Sequence, residues 1–118
     1  MLRLLTTIAV SSVLAFASEI LSENALSAFF KNSFSNEKNY NFESIKLHAI
    51  KDIKHPINWR AYFVTLKFRT ADRDIEIKEI VFSDGNMISK DFAALKDAKS
   101  LKNELFENWN ENIKKGDE

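Results

Sequence analysis

The run INWRAYFVTLKFRT, residues 57–70, limits the possible folds more than any other stretch of the chain. Tyr62, Val64, Leu66 and Phe68 fall on one side, with Thr65, Lys67 and Arg69 on the other. Alternation with a period of two marks a strand with one buried face. Trp59, Ala61 and Phe63 make the first half of the run apolar on both sides, so that end of the strand calls for cover on both faces.

The flanking segments repeat the period. Ile45, Leu47 and Ala49 oppose Lys46 and His48, and Lys54-His55-Pro56 then breaks the pattern, because proline lacks an N–H and restricts the residue before it. After a turn at Ala71–Asp74, DIEIKEIVF begins another strand. Ile75 and Ile77 share one parity there and Ile80 and Phe82 the other. Either a β-bulge near Lys78-Glu79 shifts the phase or both faces are partly buried. VFSDGNMISKDF then reads as a hairpin through Asp84-Gly85 into a short last strand.

Helical spacing brackets these strands. Ile20, Leu21, Ala25, Leu26, Ala28, Phe29 and Phe30 build one apolar face within residues 18–34, and SNEKNYN ends it. Ser100 caps a second helix in which Leu101, Leu105, Trp109 and Ile113 recur every four residues before Gly116. The order predicts an α+β domain: an N-terminal helix, a twisted antiparallel sheet of three to four strands and a C-terminal helix, with the helices on one face.

The 118 residues suit one domain, and 45% hydrophobic content is ample for a packed core. Seventeen Lys+Arg balance seventeen Asp+Glu, which leaves no net field to gather nucleic acid. At the start, Arg3 precedes an apolar run from Leu4 to Phe16 that ends in Ala15-Phe16-Ala17. This pattern predicts a signal peptide over residues 1–17, cleavage before Ser18 and a mature domain from 18 to 118. The run is shorter than the roughly 20 apolar residues of a spanning helix, so no membrane attachment is expected after cleavage. The short signal points to the periplasm. The chain has no cysteine, so no disulfide staples the exported fold.

No constellation points to catalysis, metal binding or a cofactor. His48 and His55 are the only histidines, and neither a zinc set nor a triad is visible around them. Glu79 is the one candidate base, since it lies among apolar residues at the phase break, where desolvation would raise its pKa. The surplus aromatic surface around Trp59, Ala61, Tyr62 and Phe63, joined by Phe68 and Phe82, is the candidate interaction site.

FSDGNMISKDF followed by AALKDAKSL resembles the final hairpin and exit of the N-terminal domain in DsbC/DsbG-type periplasmic thiol:disulfide interchange proteins. The resemblance runs over most of residues 18–115. It implies a cystatin-like domain that pairs two subunits. The family's redox chemistry belongs to a C-x-x-C on a thioredoxin-like domain, and this chain has neither; without a cysteine it supplies no thiolate for disulfide exchange. Three readings stand. One is a non-catalytic dimerisation module, forming a homodimer or pairing with a full-length relative. Another is a small binding protein holding an apolar ligand or unfolded segment in a groove lined by Trp59, Tyr62, Phe68 and Phe82. The third is an enzyme using Glu79.

Overall fold

The structure, a computed structural model, describes residues 19–116. The expected signal peptide and its cleavage site lie outside the described residues. Helix α1 spans Glu23–Ser33. It begins where the Ser22 hydroxyl accepts the Ala25 N–H at 3.0 Å, satisfying one of the amides that a first turn leaves unpaired. Leu26 and Phe30, one turn apart, are its buried residues.

A four-stranded antiparallel sheet follows in chain order: β1 (Asn41–Asp52), β2 (Arg60–Arg69), β3 (Asp74–Ser83) and β4 (Ile88–Ser89). Helices α2 (Leu101–Glu107) and α3 (Trp109–Gly116) complete an α+β fold. Successive β2 side chains serve opposite faces. Tyr62, Val64, Leu66 and Phe68 join Val81, Leu26 and Phe30 in one core. Ala61 and Phe63 join Ala49, Ile80, Phe82 and Trp109 in another.

The sheet therefore carries helices on both faces, α1 on one and α2–α3 on the other, where one-sided packing was expected. The cause lies in the start of β2. Apolar residues of both parities there require two layers of cover, and Leu101, Leu105, Phe106 and Ile113 pack beside Trp109 to supply the second.

The same two-sided burial settles the phase of β3. Its pairing with β2 runs without a break from Arg60 opposite Ser83 to Arg69 opposite Asp74, so no bulge lies at Lys78-Glu79. The irregularities are in β1, between Phe42 and Ser44 and between Leu47 and Ala49. Glu43 and His48 are the extra residues. Past His48 the strand changes phase: Ile45 and Leu47 pack on the α1 core, but Ala49 lies in the other. The expectation that these three share a face is corrected by that bulge.

The Asp84-Gly85 hairpin delivers the chain to α2. Asp84 Oδ1 accepts the Asn86 and Met87 N–H groups, each at 2.9 Å, and these two bonds hold its carboxyl below the usual carboxylate range. Gly85 has φ +100°, and a Cβ there would lie 2.9 Å from the Glu19 carbonyl oxygen. Only glycine accommodates both the left-handed backbone and the close N-terminal segment.

Beyond the two-residue β4, Asp91 accepts the Phe92 N–H at 2.7 Å, the Lys102 N–H at 3.0 Å and the Ser100 hydroxyl. Ser100 Oγ in turn accepts the Asn103 N–H at 3.0 Å. Two side chains thus cap one helix. The helix breaks at Asn108, whose φ of −114° and ψ of 31° leave the α region. Asn112 Nδ2 donates to the Leu105 carbonyl, which also accepts the Asn108 N–H at 3.2 Å, while Asn112 Oδ1 accepts from Lys51 Nζ at 3.0 Å. The break is thereby satisfied, and α3 is tied to β1.

Candidate interaction site

Of the six residues singled out from the sequence, Ala61, Tyr62, Phe63 and Phe82 are fully buried and Phe68 nearly so. Tyr62 and Phe68 lie in the α1 core, whereas Ala61, Phe63 and Phe82 lie in the opposite one. Trp59 is half-buried, edge-on to Phe92 at 5.1 Å between ring centroids. The sheet separates them into two groups, so the six do not line a common groove. The Tyr62 hydroxyl accepts the Leu21 N–H at 3.0 Å, pinning the segment before α1.

The sheet edges are where main-chain groups can meet another molecule. β1 is one edge, and it is blunted: two bulges interrupt its ladder, and the Leu47 N–H is already bonded to Glu23 Oε2 at 2.7 Å. Bulges and engaged amides are devices that discourage strand addition.

β3 differs. β4 pairs only with Phe82 and Ser83, so among the described residues the outer side of β3 from Asp74 to Val81 has no neighbouring strand. Glu79 Oε1 accepts the Ile80 N–H at 2.8 Å, so the Ile80 amide points away from β2. In an unbroken ladder the amide direction alternates. The N–H and C=O groups of Asp74, Glu76 and Lys78 therefore face the same open side.

The side chains along this edge are a mixed set. Ile77 is 48% exposed and, among the described residues, is the one strongly exposed large apolar side chain within a strand. Glu76 and Lys78 are exposed on the face of α2 and α3, and the Lys78 ammonium lies 5.3 Å from the Trp109 ring centroid. At the far end, Asp74 bonds Arg69 Nε at 3.0 Å and lies 3.5 Å from Lys67 Nζ. The Arg69 hydrogen bond is the main cause that lowers the Asp74 pKa.

Glu79, the candidate base of the sequence reading, bonds Lys102 Nζ at 2.9 Å as well as the Ile80 N–H. It clasps the sheet edge to α2. Among the described residues no three His, Asp or Glu side chains gather as a metal site. A cleft of about 700 Å³ opens elsewhere, between the β1–β2 connection and the segment leading into α2. Ile53, Pro56, Phe92, Leu101 and Leu105 supply its apolar lining, with Lys54 and Lys99 among its charged residues. Glu79 does not line it.

Sequence reasoning missed the 74–78 edge. Its signal was the brevity of the segment after Asp84-Gly85, which leaves most of β3 with nothing to pair. Comparison with protein-family models, with curated proteins and with solved structures returns no match to this chain.

Proposed function

We propose that this chain is a non-catalytic periplasmic interaction module that pairs through the outer edge of β3, with a second copy or with a longer relative. The observation that carries the reading is that edge: unbulged, unpaired over Asp74–Lys78 among the described residues, and bearing a half-exposed Ile77. Unpaired strand edges recruit strands, and protein recognition by strand addition draws its affinity from the main chain. The resemblance to the pairing domain of disulfide interchange proteins agrees with it.

Glu76→Pro tests the reading. The Glu76 N–H faces outward, so proline there removes a donor from the open edge without removing a β2–β3 bond. Light scattering is expected to give a dimer for the chain from residue 18 and a monomer for the variant, with equal far-UV circular dichroism. A native chain that stays monomeric at several hundred micromolar, and captures no longer relative, overturns the reading.

The 700 Å³ cleft favours a second reading, an apolar small molecule held against Phe92 and Leu105, since its volume falls within the range of ligand pockets. Quenching of Trp59, which packs on Phe92, by an apolar fluorescent probe in a monomeric chain would promote that reading.

A further inference from the structure

We infer that two copies pair antiparallel along β3 about a two-fold axis at Ile77, so that Glu76 of each faces Lys78 of the other. This rests on the interaction-module reading and adds the register. Because only Asp74, Glu76 and Lys78 offer outward main-chain groups, a partner strand must set outward residue against outward residue. The Ile80 N–H is already taken by Glu79, and Phe82 pairs with β4.

Five symmetric registers then remain, and charge separates them. An axis at Asp74 sets that carboxylate against its own copy. An axis at Ile75 opposes Asp74 to Glu76 of the second copy, twice. One at Glu76 sets that carboxylate against its own copy, and its compensating residue, Asp74, is already engaged by Arg69 and Lys67. One at Lys78 opposes two ammonium groups. Only the axis at Ile77 opposes unlike charges throughout, with two Glu76–Lys78 pairs and no like pair; cross-strand neighbours of opposite charge favour pairing and like charges oppose it.

The apolar pattern agrees with this register. Ile77 meets Ile77 of the second copy at a non-hydrogen-bonded position, where side chains approach most closely. The two exposed isoleucines cover each other on the α1 face, while the charge pairs lie on the α2–α3 face. A perpendicular two-fold keeps like faces together, so two four-stranded sheets become one of eight strands.

The chain has no cysteine, which makes single-cysteine cross-linking a clean test. Oxidation of Ile77→Cys is expected to give a covalent dimer in high yield, with Glu76→Cys or Lys78→Cys alone giving little. Glu76→Lys and Lys78→Glu should each weaken self-association roughly ten-fold, and mixing the two variants should restore pairing as a heterodimer. Cross-linking at Glu76→Cys in place of Ile77→Cys, or charge variants that associate like the native chain, would overturn the register while leaving a dimer in place. Absence of any dimer in the native chain would remove the register and the underlying reading together.

Discussion

Replacing Trp109 with alanine should strip the second helical layer from the sheet. Its ring is 6% exposed and contacts Phe63 at 5.5 Å and Phe106 at 5.6 Å between centroids, with Lys78 above its face. An aromatic side chain of this class buries about 150–250 Å², which at ~25 cal/mol per Å² is about 4–6 kcal/mol. Part of that returns if Phe106 and Ile113 settle into the space, which brings the expectation into the range of about 3–5 kcal/mol measured for such truncations. In a domain of this size each kcal/mol shifts the melting temperature by about 4–8 °C, so the variant should melt at least about 12 °C below the parent. Urea unfolding followed by far-UV circular dichroism measures the loss, and Trp59→Ala, at a half-buried ring, should cost less. A loss under about 1 kcal/mol at Trp109, or a larger one at Trp59, would show that α3 does not seal this face.

Gly85→Ala should cost about 1–3 kcal/mol, because it combines φ +100° with a Cβ placed 2.9 Å from the Glu19 carbonyl; equal urea midpoints for variant and parent would refute that packing. Asp91→Ala should cost about 1–2 kcal/mol by uncapping α2, and amide exchange at Lys102 and Asn103 should accelerate before that of the β2 core. Stability should also fall in acid. For Asp91, burial acts to raise the pKa but is outweighed by hydrogen bonds from Ser100 and the Lys102 and Phe92 amides, and Asp84 is lowered by its turn amides. Folded values below the unfolded value of about 3.9 mean that this stabilisation is present above that pH and is lost as pH falls through the folded values. Asp84→Asn with Asp91→Asn should flatten the decline in urea midpoint between pH 5 and pH 2, and an unchanged slope would refute the assignment.

Much of the fold was legible because apolar periodicity and caps are local. The alternation from Tyr62 to Phe68, the Asp84-Gly85 turn and the Ser100 cap all appear where their residues predict. The His48 bulge was not legible, since it depends on how β1 meets β2, and its consequence, Ala49 on the face opposite Leu47, breaks a parity that the sequence keeps. The Asn108 break was hidden for a related reason: Leu105, Trp109 and Ile113 keep four-residue spacing across it, and Asn112 repairs it from beyond. The aromatic surplus at Trp59–Phe63 was legible as residues that need cover, but not as residues covered within one chain. The open β3 edge is a property of neighbours. It follows from the length of β4, which two residues, Ile88 and Ser89, decide.

Residue-resolved amide exchange of the chain from residue 18, compared at about 10 µM and about 1 mM, tests the central claim most directly. Pairing along β3 predicts that the outward N–H groups of Glu76 and Lys78 exchange freely in the dilute sample and are protected at least ten-fold in the concentrated one. The Ile80 amide, already bonded to Glu79, should change little. Exchange at Glu76 and Lys78 that is independent of concentration would contradict the claim, whether the chain stays monomeric or associates through another surface.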